Sequence, residues 1–393
     1  MNGTIYMPVG EVCSSISDTY REKKNMVTLI NTSDVLEGRV LNHERVPNSN
    51  LKGQFKKTFQ RDDILYSEIR PQNRRFAYVD FSPIDYIAST KLMVIRAKKD
   101  VVSPKYLYYF LKNSSTVAEL QLLAETRSGT FPQITFSEVA NLTIPVPSLA
   151  VQEVIVQTMQ CLEDKITCNE QINDNLEQQA QSYFQELFVD NADPEWAIGT
   201  ISDLGTVVGG STPSKAKPEY YTESGIAWIT PKDLSINKSK FVSHGENDIT
   251  ELGLKNSSAA IMPEGTVLFS SRAPIGYIAI AAGEVTTNQG FKSVVPKPEI
   301  GTPFVYFFLK NTLPVIEGMA SGSTFKEVSG STMKKVPAVI PDAETLAKFS
   351  SFCAPIFAQQ RILEEQNQSL AILRDNLLPK LMSGEIDVSD VQL

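Results

Sequence analysis

Two stretches of the chain carry apolar residues at a seven-residue step. Ile155, Leu162, Asn169, Leu176 and Tyr183 form one series, with Met159, Ile166, Asn173, Ala180 and Leu187 as its companion. Phe349, Ile356, Leu363, Leu370 and Leu377 form a second, further along. From Ser148 to about Val189 there is neither glycine nor proline, and glutamine and glutamate fill the positions between the stripes. The pattern predicts one long helix capped by Ser148, and another capped by Asp342 with Glu344 in its first turn. Pro355 is expected to kink or restart the second helix. Stripes this narrow pack against another helix as a coiled coil. The predicted helix–helix interface comprises Ile155, Leu162, Ile166, Asn169, Asn173, Leu176, Tyr183, Ile356, Leu363, Leu370 and Leu377. Asn169 and Asn173 are expected to share one buried polar layer.

Outside these stretches the pattern changes. Runs such as "KLMVIRA", "AWIT", "YIAIAA" and "KSVVP" read as strands separated by Gly, Pro, Ser and Asn turns. "YLYYFLKN" (106–113) returns as "FVYFFLKN" (304–311), 198 positions on. Around it, "DILYS" (63–67) matches "TVLFS" (266–270), "SGTF" (128–131) matches "SGSTF" (321–325), and "PVPS" with Pro147 matches "VIPD" with Pro341. Four matches in the same order, at spacings of 193 to 203, mark an internal duplication.

The expected fold is α+β: two mixed β-rich lobes joined by two long antiparallel coiled-coil helices, a pseudo-twofold internal repeat. The expected segments are a first lobe (1–147), a central spacer helix (148–190), a second lobe (191–341), a C-terminal spacer helix (342–386) and a tail (387–393). A helix of ~40 residues spans about 60 Å. Paired antiparallel, the two would form a stiff spacer that holds the lobes apart and returns the C-terminus toward the N-terminus.

A length of 393 residues fits more than one core. With 42% hydrophobic and 21% charged residues, the composition is that of a globular protein. No apolar run reaches the ~18 residues of a membrane span, and the start lacks a signal peptide's features. Four cysteines without metal spacing suggest buried thiols in a cytoplasmic protein. Two histidines make histidine-based catalysis or zinc binding improbable.

A net charge of −8 argues against nucleic acid until it is divided by segment. Residues 1–148 hold 19 basic and 15 acidic side chains, and residues 196–341 hold 13 and 12. The helical segment 149–195 holds 1 and 10. The acid lies on the helices, and the lobes are neutral to basic, which is compatible with lobes that touch phosphates.

Polar clusters in the lobes are the candidates for reading bases. "EIRPQNRRF" gathers Arg70, Gln72, Asn73, Arg74 and Arg75 just after the repeated strand; arginine reads guanine and Asn or Gln reads adenine through paired hydrogen bonds. The matching place in the second lobe, "SSRAPIGY", offers Ser271 and Arg272. That lobe adds Ser211, Thr212 and Lys215 from "VGGSTPSKAK", and Asn288 and Gln289 from "TTNQGF". The paired Ser/Gly loops supply Arg127, Ser128 and Thr130 in one lobe and Ser321, Ser323 and Lys326 in the other, suited to backbone and phosphate contact. A solvated loop competes with each assignment, but the framework repeats while these loops diverge, as two heads reading different sequences would. No catalytic residue and no metal site is expected. No two glycines are separated by a single residue, and there is no P-loop and no Asn-Pro-Pro-aromatic motif, so the chain by itself looks non-catalytic.

The second helix ends "LAILRDNLLPKLMSGEI" (370–386) and the first contains "NEQINDNLEQQAQSYFQELFVD" (169–190). Both resemble the repeated helices of specificity subunits of type I restriction-modification enzymes. "WAIGTISDLGTVVGGSTPSKAKPEYYTESGIAWITPKDL" (196–234) resembles the start of a target recognition domain of that family. The first lobe departs at its start, keeping only Gly10 and Val12 against Gly199 and Ile201. The resemblance implies that each lobe reads half of a split double-stranded DNA site and that the helices set the unread gap. It also implies two methylation subunits along the helices and motor-nuclease subunits joining that core. S-adenosylmethionine, ATP and magnesium would be bound by those partners, with no cofactor on this chain and no membrane association. From the residues alone, a two-headed protein- or carbohydrate-binding adaptor is the alternative. The exposed half-seam predicts that a fragment of residues 1–190 dimerises; a monodisperse monomer in light scattering would count against paired helices.

Overall fold

The structure is a computed structural model describing residues 4–22, 24–49, 53–126, 132–322 and 326–388. The chain forms two compact units, one of Met1–Ile166 with Ser369–Leu393, the other of Thr167–Gln368. The divisions fall inside the helices Leu149–Gln185 and Ala343–Ser383 rather than at their ends. Each helix contributes one half of its apolar seam to each core.

Within the first unit, Ile5–Pro8 pairs antiparallel with Thr143–Val146. The short helix Val9–Val12 follows, and then a sheet in the order Cys13–Ile16, Leu92–Ala97, Ile64–Ser67, Phe76–Tyr78. Within the second unit, Ala197–Thr200 pairs with Pro337–Ile340, the helix Ile201–Leu204 follows, and the sheet runs Gly205–Gly209, Lys292–Pro296, Val267–Ser271, Ile275–Ala281. The order is the same, and the second unit adds Phe241–Val242 at the edge, parallel to its neighbour. The first unit carries a further sheet of Val46–Pro47, Met26–Ile30, Tyr86–Ser89 and Phe55–Lys57 over its own small core.

The register of the duplication differs from expectation at one place. The N–H of Val9 donates to the Leu142 carbonyl at 2.9 Å, and that of Ile201 to Val336 at 3.0 Å. Val9 therefore corresponds to Ile201 and Val12 to Leu204, all four buried, and matching Gly10 with Gly199 is three residues out. A shared backbone bond and a buried apolar pair one turn apart set the register; the glycine match is incidental.

The repeated octapeptides are helical, the first in Pro104–Lys112 with Asn113 just past its end, the second within Thr302–Gly318. Tyr106–Leu111 and Phe304–Leu309 are buried throughout. A helix that is apolar all round must be covered all round; here the sheet covers one side and the long helices the other. The penultimate lysine of each octapeptide has a shared role. Lys112 forms an ion pair with Glu163 of the central helix, and Tyr109 Oη donates to the same carboxylate at 2.9 Å. In the second unit Lys310 pairs with Glu177, again a residue of the central helix, and Tyr306 Oη donates to it at 3.2 Å. Lys240, at the edge strand, also pairs with Glu177. Its ammonium lies 4.0 Å from the Phe357 ring centroid and 4.7 Å from that of Tyr306, and donates to Gln360 Oε1 at 2.6 Å. Glu364 accepts the main-chain N–H groups of Lys240 and Phe241 at 2.8 and 3.0 Å.

The caps are as the sequence predicts: Val151 N–H donates to Ser148 Oγ at 3.4 Å, and Thr345 N–H to Asp342 Oδ1 at 2.9 Å. In the second unit Asn169 Nδ2 donates to Asn367 Oδ1 at 2.8 Å, Gln360 Nε2 to the Asn173 carbonyl at 3.1 Å, and Tyr183 lies 4.5 Å from Phe352, centroid to centroid. Partner numbers fall as the first helix advances, so the pairing is antiparallel. Asn169 and Asn173 do not share a layer, because their partners lie seven residues apart. Ile356 and Leu363 are buried, while Leu162, Ile166, Leu176 and Leu370 are half-buried. In the first unit Ile155 and Met159 join a core whose C-terminal-helix members are Leu378, Leu381 and Met382, with Leu377 beside them.

Pro355 does not interrupt its helix, which runs unbroken from Ala343 to Ser383. The proline removes one N–H, and buried Cys353, Ile356 and Phe357 on either side hold the turn in place. The cysteines also differ from expectation: Cys13 and Cys353 are buried, whereas Cys161 and Cys168 are exposed on the central helix, off its seam.

Burial drives the Glu177 carboxyl up, but Lys240 and Lys310 outweigh it and hold the group below its ordinary value of 4.5. Replacing Glu177 by glutamine leaves Lys240 buried beside a neutral amide, and should cost about 3 kcal/mol near pH 7. A carboxylate with a depressed folded pKa stabilises above its unfolded value and loses that contribution as pH falls through the folded one. Thermal melts of wild type and E177Q should therefore differ near neutral pH and draw together as pH falls below 4.5; identical melts at neutral pH would contradict the tie.

Candidate nucleic-acid interface

In both units the two segments singled out on either side of the octapeptide meet. The N–H of Ile134 donates to the Glu68 carbonyl at 2.9 Å, and the N–H of Val328 to the Ser271 carbonyl at 3.0 Å. These residues stand at the spacings of the sequence repeat, 203 for Glu68 and Ser271 and 194 for Ile134 and Val328. The end of the repeated strand and the segment after the Ser/Gly loop therefore form one polar surface in each copy. Arg127, Ser128, Thr130 and Ser323 lie outside the described residues.

In the first unit this surface is the turn Pro71–Asn73, flanked by Arg70 (φ 45°) and Arg74 (φ 51°), both in left-handed backbone. Gln72 N–H donates to Gln121 Oε1 at 3.2 Å, which ties the turn to the helix Ser114–Glu125. Arg70, Gln72 and Asn73 are exposed. Arg74 Nη2 donates to Ser114 Oγ at 2.9 Å, and Arg75 Nη1 to the Ser33 carbonyl at 3.0 Å. Lys91 Nζ lies 3.5 Å from Glu68 and 3.4 Å from Gln133 Oε1, bridging the two segments.

In the second unit the surface encloses a cleft of about 620 Å³. Thr212, Lys215, Arg272, Asn288 and Gln289, named from three separate stretches of sequence, all line it. Thr212 Oγ1 donates to Gln289 Oε1, and Asn288 Oδ1 accepts the Gly290 N–H at 2.8 Å, which shapes the floor. The Arg272 guanidinium lies 3.5 Å from Glu327, whose other oxygen is 3.8 Å from Lys292. Burial pushes the Lys292 pKa down, partly opposed by Glu327. Ser321 is exposed and its backbone pairs with Glu327; Lys326 is exposed as well. Two expected contacts are placed differently. Ser271 is fully buried and its hydroxyl donates to the Gly290 carbonyl at 3.1 Å, because it ends a central strand of the sheet. The Ser211 backbone bonds to Thr287 and accepts the Trp228 indole N–H at 3.0 Å.

Sequence reasoning missed Tyr221, Trp228, Lys232 and Glu246, which also line the cleft. Lys232 and Glu246 form an ion pair at 2.5 Å, and the Tyr221 and Trp228 rings meet edge to face at 5.6 Å. "AWIT" reads only as a strand, and nothing local signals that its tryptophan turns toward a polar floor. The interface thus combines amide and guanidinium groups with aromatic edges and a carboxylate, the chemistry of base edges rather than of phosphate alone.

The family model described as "Type I restriction modification DNA specificity domain" matches residues 6–178 and again 194–373. The chain belongs to this family. Each matched segment holds one lobe and part of a long helix, so the two specificity domains coincide with the two copies of the repeat. The HindI specificity subunit of Haemophilus influenzae is 30% identical over 92% of this chain and 94% of its own length. The MjaIX specificity subunit of Methanocaldococcus jannaschii is 40% identical over 44% of this chain and 40% of its own. A crystal structure of a type I restriction-modification S subunit from M. genitalium covers 97% of both chains with a TM-score of 0.56 at 17% identity, a likeness of fold. Among the described residues of this specificity-domain protein, no helix is long and apolar enough to cross a membrane.

Proposed function

We propose that this chain is the non-catalytic, sequence-reading subunit of a type I restriction-modification complex. Its two specificity domains each read one part of a split duplex DNA site. It scaffolds two methylation subunits, which carry S-adenosylmethionine, and motor-nuclease subunits, which use ATP and magnesium, in the cytoplasm. The observation that carries this reading is the equivalent polar surface in each copy of one framework, built at the same strand end from different residues. A scaffold with a single ligand would keep these surfaces alike; two heads reading unlike half-sites must let them differ.

The acidic helices and neutral-to-basic lobes agree with a chain that meets DNA through its lobes and protein along its helices. Duplex affinity of the chain assembled with its methylation subunits should fall linearly in log–log dependence on salt, with a slope of about −0.9 for each phosphate neutralised. Fluorescence anisotropy with a labelled duplex measures this. Binding that ignores salt would set the reading aside.

A further inference from the structure

A side-chain amide that reads adenine needs both its ends: the oxygen accepts from the N6 amino group and the NH2 donates to N7. In the cleft of the second unit only one end is open. Asn288 Oδ1 accepts the Gly290 N–H at 2.8 Å, and because a backbone N–H can only donate, this bond fixes which end of the amide is oxygen. Gln289 Oε1 accepts the Thr212 hydroxyl. In both residues the NH2 is the end without a partner among the described residues, and both line the cleft.

The carboxylates of the cleft are committed as well. Asp233 accepts the N–H and the hydroxyl of Thr230 at 2.7 and 2.6 Å, and the N–H of Glu246 at 2.9 Å. Glu246 is paired with Lys232, and Glu327 with Arg272. Asn247 is the one lining amide whose oxygen has no partner among the described residues. Two of the three cations that line the cleft, Lys232 and Arg272, thus already face a carboxylate, while Lys215 is exposed. A pocket for phosphate would gather uncompensated cations; this one presents neutral N–H donors between compensated charges.

We propose that Asn288 and Gln289 are specificity-determining residues that act as donors only: they recognise acceptor atoms on base edges and do not make the paired bond to adenine. The inference rests on the DNA-recognition reading above. The acceptors available in the major groove are purine N7, guanine O6 and thymine O4. An amino group brought to the same place sets donor against donor and leaves both without a partner, which is what rejects the wrong base. Gly290 and Thr212 set this preference by holding the amide oxygens out of reach.

The test uses the chain assembled with its methylation subunits, and duplexes carrying the motif that a map of modified adenines in the host reveals. Wild type, N288D and Q289E are compared by fluorescence anisotropy. Each substitution keeps the oxygen bonded to Gly290 or Thr212 and replaces only the free NH2 by a second acceptor, so both variants should melt close to wild type. Each should bind the motif about 10- to 100-fold more weakly. A series of duplexes then deletes one acceptor at a time (purine N7, guanine O6 or thymine O4), and a second series deletes adenine or cytosine amino groups. One acceptor deletion, within one half-site, should abolish the difference between wild type and each variant, whereas no amino deletion should. Binding like wild type by either variant, or a difference abolished by an amino deletion, would overturn the proposal. Equal weakening on every sequence with a shallower salt slope would also overturn it, since that marks a phosphate contact. Failure of the underlying reading is distinguishable, because the wild-type complex would then not prefer the mapped motif over an unrelated duplex.

Discussion

The architecture rests on a buried lysine meeting a carboxylate of the central helix. A lysine ammonium loses most of its hydration when it enters a core, and only a well-placed anion and hydrogen bonds offset that loss. Lys112 with Glu163, and Lys310 with Lys240 on Glu177, meet that condition, with tyrosine hydroxyls completing the carboxylates. An apolar contact between helices tolerates sliding, whereas a buried ion pair does not. The tie therefore fixes where each aromatic helix sits on the central helix, and through it where the sheet and its reading surface stand within each unit. This is why an octapeptide ending in Phe-Leu-Lys-Asn survives in both copies while its neighbours drift.

Beyond the tie, the protein separates what must stay from what must vary. The sheet order, the strand ribbon, the short helix after it and the backbone bond from Ile134 or Val328 to the strand end are common to both units. On that frame the exposed turn is free to change its side chains. One unit exposes Arg70, Gln72 and Asn73; the other lines a cleft with mixed donors, acceptors and aromatic edges. Lys91 with Glu68 and Gln133, and Lys292 with Glu327 and Arg272, close the same gap between segments by different chemistry.

Much of this was legible in the sequence because it depends on period and spacing. The heptads, the Ser148 and Asp342 caps and the duplication are local or numerical signals, and the polar segments of the cleft lay in three recognisable clusters. What escaped depends on tertiary company. Ser271 looked like a surface serine and is a buried strand end; Pro355 looked like a break but is held by packing around it. Lys240 carried no local mark at all, since its aromatic and carboxylate partners come from three distant segments. The glycine match at the start of the first lobe misled because identity at one residue outweighed the buried Val9–Val12 pair that sets the true register.

The most direct measurement of the central claim, that this chain directs modification to one split site, is a genome-wide map of modified adenines in the host with and without its gene. The account predicts loss of methylation at a single bipartite motif, both halves together, with every other motif intact. An unchanged map in a host that expresses the methylation subunits would contradict it.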